Sequence, residues 1–187
     1  ALARGEIDIS AWNGAHLKGV NFYKPVVAAI RGLCLGGGFE LVLGTEIRIA
    51  SSDSVFQFPE VQHGFVPAGG TLVRLTRQIA YAHAMEMMLT GRRYCSQEML
   101  ERGVVNEVVA PDATLARAQE IAALLAGYSP LAVQTIKKAA LTFGDLDADE
   151  AFAREAELGQ HTFTSDRAKE SLEAFARRAS NKDNRHG

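Results

Sequence analysis

Residues 24–71 read KPVVAAIRGLCLGGGFELVLGTEIRIASSDSVFQFPEVQHGFVPAGGT, and the reading of this stretch decides the fold. A triple glycine, Gly36-Gly37-Gly38, stands between an apolar run at 26–30 and a helix-like run at 39–43. The apolar run has no polar alternation, which predicts a strand buried on both faces. A helix start leaves backbone N–H groups without intrahelical acceptors, and the summed peptide dipoles make that end partly positive. Glycine lets a ligand approach those groups and admits the positive φ that the turn can require. The spacing is not that of a dinucleotide fingerprint, and no Lys-Ser/Thr pair closes a phosphate loop. Two readings remain. One is a tight turn packing strand against helix, and the other is a backbone donor to charge growing on a carbonyl oxygen.

Two glutamates flank this turn in sequence. Glu40 falls in the first turn of the predicted helix, where the dipole alone favours a carboxylate by about 0.3–1 kcal/mol. Glu60 follows Phe56, Phe58 and Pro59 and precedes Val61, an apolar setting in which a charge is costly to desolvate. Such a carboxyl is expected to have a raised pKa, which suits a general acid or base near neutral pH. Two carboxyls beside an oxyanion donor can deliver a proton and a water next to a polarised carbonyl.

The ordered motifs of the chain resemble the crotonase superfamily, the enoyl-CoA hydratases and isomerases. The resemblance rests on K-P-V-V-A-A-I-x-G-x-x-L-G-G-G-F-E-L from Lys24, F-x-F-P-E from Phe56 and G-x-V-P-x-G-G-T from Gly64. It continues in M-L-T-G-R-R-Y from Met88 and R-G-V-V-N-E-V-V from Arg102, and covers about residues 23–176. Some stretches, among them GGGFEL, look most like carnitine-pathway or general acyl-CoA hydratases. The resemblance implies an α/β fold, a crotonase-like ββα spiral core that is partial here, followed by a C-terminal all-helical region. It implies that the Gly37 N–H binds a thioester oxygen, Glu40 holds the water that attacks the β-carbon, and Glu60 exchanges a proton with the α-carbon. Gly36, Phe65, Pro67 and Gly69 are the substrate-binding positions it suggests. Family members that only isomerise double bonds usually keep the carboxylate of the Glu60 position alone, so the pair favours hydration.

Two departures bear on this. The family's second oxyanion donor lies in an A-G-x-D-L-type loop, whereas this chain opens ALARGEIDIS, resembling what normally follows that loop. The expectation is a family member lacking its first strand–helix units. The loop at 65–70 is also one residue shorter than the hydratase pattern between its proline and Gly-Gly, which bears on how the water is placed.

A length of 187 residues suits one domain with an appendage, and 47% hydrophobic against 22% charged residues is an ordinary globular balance. The net charge of −2 gives no electrostatic reason to expect nucleic acid. No apolar run reaches the roughly 18 residues of a transmembrane helix, and no basic-then-apolar run opens the chain. Cys34 and Cys95 form neither a disulfide framework nor a metal cluster, and His63 and His83 lack partners at ligand spacing, so no metal is expected. A cytoplasmic setting, no membrane association and no separate cofactor follow as expectations.

Along the chain, residues 7–17 predict a short weak helix, and Trp12, Phe22 and Tyr23 are expected to pack. Strands are predicted at 46–50, with Ile47 and Ile49 on one face, at 55–58 and at 104–109. A helix at 69–78 places Arg74 and Arg77 on a solvated face, with a CoA phosphate as the alternative partner. The methionine-rich helix at 82–89 fills core or a subunit contact and ends at Gly91, and Ser96 caps the next at 97–102. From Asp112 the pattern is helical, with starts at Pro130, Asp147 and Ser165 or Asp166, and the terminal NKDNRHG is polar. Residues 1–111 are assigned to the spiral core and 112–187 to a helical region, which the resemblance implies serves oligomerisation and covers the active site. The resemblance implies a homotrimer or dimer of trimers.

The leading function is reversible addition of water to a trans-2-enoyl-CoA, giving a 3-hydroxyacyl-CoA. Isomerisation or hydrolysis from the same enolate is the alternative enzyme. A non-catalytic assembly subunit or fragment is the alternative from another class.

Overall fold

The computed structural model describes residues 8–183, with the side chains of Ile9 and of 178–183 left aside. The opening residues 1–7 and the last residues of NKDNRHG lie outside the described part, so the reading of ALARGEI finds no counterpart there. Two compact units divide between Leu125 and Ala126.

The first unit carries two three-stranded sheets. In one, β1 (Val27–Ile30), β3 (Ile47–Ser51) and β6 (Glu107–Val109) run parallel in the order β1-β3-β6, with Val27 opposite Ile47 and Ala50 opposite Val108. In the other, β2 (Leu33–Leu35) pairs parallel with β4 (Val55–Gln57), and β4 pairs antiparallel with β5 (Tyr94–Cys95). Parallel neighbours require crossovers, and the glycine helix α1 (Gly37–Val42) lies in one, between β2 and β3. The mixed α/β region predicted for this part of the chain is therefore present.

Strand β3 departs from the alternating pattern. Every residue from Arg48 to Ser51 is buried, so both faces are covered. Arg48 is tolerated there because its guanidinium donates to four oxygens: Val104 O at 3.0 Å, Leu43 O at 3.1 Å, Thr45 O at 2.8 Å and Gln78 Oε1 at 2.9 Å. Burial still pulls its pKa down to about 10, partly opposed by Glu46. Nor is 104–109 one strand. The amides of Val104 and Val105 both turn back to Met99 O, at 2.8 and 3.3 Å, and pairing begins only at Glu107.

The core gathers on Phe39, which stacks on Phe58 at 4.3 Å and meets Phe56 edge-on at 5.2 Å, all three fully buried. Helices α2 (Thr71–Gln78), α3 (Tyr81–Thr90) and α4 (Ser96–Glu101) add Leu75, Met87, Met88 and Met99 to that core, as the methionine-rich pattern implied. Gly91 ends α3 in the left-handed conformation. Ser96 does not cap α4. It is the first helical residue, and its hydroxyl donates to the carbonyls of Ser51 and Ser54. Cys95 takes the cap position, its amide bonded to Glu98 Oε2 at 2.9 Å. The weak N-terminal helix shrinks to a 3-10 turn, Ile9–Trp12, and Trp12 and Phe22 are about half exposed rather than packed. Helix α5 (Thr114–Ala126), beyond the line drawn at residue 111, lies in this unit up to its last residue.

The second unit is all helix: α6 (Pro130–Thr142), α7 (Ala148–Phe163) and α8 (Asp166–Asp183). Each start is capped by a side chain that accepts a backbone N–H: Ser129 from Ala132, Asp147 from Glu150 and Ser165 from Ala168. Pro130 stands in the first turn, where its missing N–H costs nothing.

Candidate active site

The triple glycine turns the chain from β2 into α1. Gly36 sits at φ +49, and a Cβ there would come within 2.9 Å of Glu60 Oε1, so both backbone and space demand glycine. Helix α1 opens with the Glu40 N–H donating to Gly36 O at 2.9 Å. Gly37, its first residue, is exposed, and its N–H has no carbonyl four residues back within the helix.

Phe39 anchors the buried side of this short helix, and Glu40 follows it into the interior with only 5% of its surface exposed. Its side chain does more than offset the helix dipole. Oε1 accepts from Gly69 N at 2.6 Å and from the Thr71 hydroxyl at 3.0 Å. A Cβ on Gly69 would lie 2.5 Å from Glu40 Oε2, so this glycine exists to let the carboxylate approach. The shortened loop therefore still brings Gly69 onto Glu40.

Glu60 begins a 3-10 turn, Glu60–His63, directly after the Phe58 anchor. Two side chains hold that turn: Gln57 Nε2 and Gln62 Nε2 both donate to Gly91 O at 2.7 Å. Glu60 is 6% exposed, and its Oε2 is buried without a partner among the described residues. Burial raises its pKa above the usual carboxylate range, with the nearby Glu40 charge adding to the rise, while its own backbone amide and His63 pull the other way. The apolar neighbours read from sequence thus have the expected effect.

Gly36, Gly37, Glu40, Glu60 and Gly69 gather in one place. Pro67 is buried in the loop that delivers Gly69, whereas Phe65 is 57% exposed and stacks on His63. Sequence reasoning missed Thr71 and His16. The hydroxyl of Thr71 was legible, since it follows the Gly-Gly at a helix start. His16 carried no signal, because its place depends on the return of a distant segment. Arg74 was also misread. It is half-buried and donates to His16 O at 2.7 Å and Leu17 O at 2.8 Å, fastening residues 16–17 to α2. Lys18 Nζ donates to Ala68 O at 3.0 Å beside them.

Chemically, the arrangement joins a backbone N–H at a helix start, a carboxyl held by two donors and a second carboxyl kept in a desolvated place. That combination is chemically able to polarise a carbonyl and to move a proton at the adjacent carbons. Among the described residues no cluster of three His, Cys, Asp or Glu side chains suited to a metal ion forms.

The chain is similar to known proteins along most of its length. The profile of the Enoyl-CoA hydratase/isomerase family matches residues 14–183. Enoyl-CoA hydratase EchA19 of Mycobacterium tuberculosis is 39% identical over 172 residues, which cover 91% of this chain and 65% of that protein. Carnitinyl-CoA dehydratase of Proteus mirabilis is 36% identical over 81% of this chain and 60% of its own. The crystal structure of an enoyl-CoA hydratase from Mycobacterium tuberculosis H37Rv superposes with a TM-score of 0.80 at 38% identity, covering 83% of this chain and 62% of that one. The chain thus spans less than two thirds of the curated relatives it matches. Its α/β region and helical C-terminal region are those of the crotonase fold, and the chain belongs to the enoyl-CoA hydratase/isomerase family.

Proposed function

We propose that the protein is a hydro-lyase that reversibly adds water to a trans-2-enoyl-CoA, giving a 3-hydroxyacyl-CoA. The observation that carries this reading is the pair of buried carboxyls, Glu40 and Glu60, in one site with the Gly37 N–H. The thioester oxygen accepts from Gly37 N–H as enolate charge develops. Water oxygen bonds to the β-carbon while one of its protons passes to Glu40. Glu60, protonated at the start, delivers its proton to the α-carbon. The pair therefore carries one proton before and after the step, exchanged from Glu60 to Glu40. Coenzyme A arrives with the substrate, and neither metal nor redox cofactor enters the scheme. Gly36 and Gly69 shape the space around the carboxyls, with Pro67 and Phe65 on the loop beside it.

The test follows the loss of enoyl-thioester absorbance in wild type, Glu60→Gln and Glu40→Gln. Hydration requires both carboxyls, so each variant should be inactive. An isomerase working through Glu60 alone keeps most of its activity in Glu40→Gln, and that result would replace the hydratase reading. No absorbance change with any enoyl-CoA, alongside intact folding, would favour a non-catalytic assembly role.

The helices of the second unit support a homo-oligomer, a trimer or a dimer of trimers. Phe152, Phe163, Leu172 and Phe175 there are each more than half exposed. No described helix is long and apolar enough to cross a membrane. A cytoplasmic location completes the reading.

A further inference from the structure

We infer that His16 is a third polar group of this site and holds the attacking water through Nε2, together with Glu40; this rests on the hydratase reading. The segment bearing it is built rather than loose. Leu17 adopts φ +55, a conformation costly for a branched side chain, and such strain persists where surroundings over-determine it. Three donors fix the segment: Arg74 through both terminal nitrogens to the carbonyls of His16 and Leu17, and Lys18 to Ala68 O.

The imidazole is thereby set above the reacting groups. A Cβ on Gly69 would lie 2.7 Å from His16 Cδ2 and 2.5 Å from Glu40 Oε2, so ring edge and carboxylate meet over one α-carbon. A Cβ on Gly37 would lie 3.3 Å from His16 Nε2, which puts that nitrogen beside the helix start that donates to the thioester. The tautomer follows from the remaining contact. His16 Nδ1 lies 3.1 Å from Trp12 O, and a carbonyl only accepts, so Nδ1 carries the proton. Nε2 of the neutral ring is then an acceptor. Glu40 Oε1 is already taken by Gly69 and Thr71, which leaves Oε2 and His16 Nε2 as two acceptors for the two protons of one water. As the water oxygen bonds to the β-carbon, one proton passes to Glu40, and the other stays on the new hydroxyl, still held by Nε2.

The experiment compares two reactions in the purified protein. One is hydration of a short-chain trans-2-enoyl-CoA. The other is exchange of the α-protons of a saturated acyl-CoA in D2O, which needs Glu60 and Gly37 but no attacking water. In His16→Asn, whose amide reaches only the Nδ1 position, kcat for hydration should fall about tenfold to a hundredfold with KM little changed. Exchange should fall much less. His16→Gln, which places a carbonyl oxygen near the Nε2 position, should recover part of the lost kcat. Hydration at wild-type kcat in His16→Asn would overturn the inference while leaving the hydratase reading intact. Equal loss of hydration and exchange in both variants would assign His16 a structural role and overturn it as well. A wild-type protein that exchanges α-protons but does not hydrate would overturn both readings.

Discussion

The two units of this chain solve different problems. Among the described residues every buried hydrophobic side chain lies at or before Ala118, and between Ala126 and Arg177 the one buried residue is Lys137. In the first unit, burial on Phe39, Phe56 and Phe58 fixes side chains that must hold still, Glu40 beside Phe39 and Glu60 just beyond Phe58. In the second, capping boundaries and local hydrogen bonds define α6, α7 and α8, yet α7 buries nothing. The lesson is that helical pattern alone does not make a core. The first unit is organised around its own interior, while the second leaves Phe152, Phe163, Leu172 and Phe175 exposed.

The sharpest break between the units is catalytic. Glu40→Gln or Glu60→Gln should cut hydration by about 10²–10⁴-fold, measured by enoyl-thioester absorbance, whereas Lys137→Met should leave it within about twofold. Next in size is packing. Phe39→Ala should cost about 3–5 kcal/mol in urea unfolding, because a fully buried stacked ring leaves a cavity. Phe152→Asp on α7 should change the unfolding of dilute protein by no more than about 0.5 kcal/mol, yet lower the assembly mass in light scattering. Equal effects of the two substitutions on unfolding would erase the distinction.

A smaller effect concerns pH. In the proposed scheme Glu60 starts protonated, so kcat/KM should fall as pH rises through its raised pKa. Stability follows the same sign. A carboxyl whose folded pKa is raised binds its proton more tightly in the folded state, so its penalty is full above that pKa and fades as pH drops toward the unfolded value. Glu60→Gln should therefore melt higher than wild type at alkaline pH, with the gap closing in acid. The smallest effect is chemical. Cys95 is exposed and should be alkylated by a thiol reagent at neutral pH, whereas buried Cys34, its pKa pushed up to about 12, should react only after unfolding.

Much of this was legible in the sequence because it depends on near neighbours. The apolar run at β1, the glycine turn and the helix starts at Pro130, Asp147 and Ser165 are set within a few residues. So is the apolar setting of Glu60. What was not legible depends on distant partners. Arg48 looked like an ordinary outward residue of an alternating strand, and only the carbonyls of Leu43, Thr45 and Val104 with Gln78 explain its burial. Val104 and Val105 have strand-forming side chains, but Met99 O takes both amides before any strand can. Strand β2 is three residues long and too short for periodicity to reveal. Arg74 and His16 became interpretable only together.

The Gly91 carbonyl has a consequence for motion. Gly91 ends α3 by its left-handed conformation, its carbonyl accepts from Gln57 and Gln62 on either side of Glu60, and a Cβ there would sit 3.0 Å from both Phe58 O and Val61 Cγ1. The end of that helix and the turn bearing Glu60 should therefore open as one cooperative piece. Amide protons at the close of α3 and in the Glu60 turn should exchange with solvent at matching rates, which makes a helix end far along the chain a reporter on whether the Glu60 carboxyl is in place.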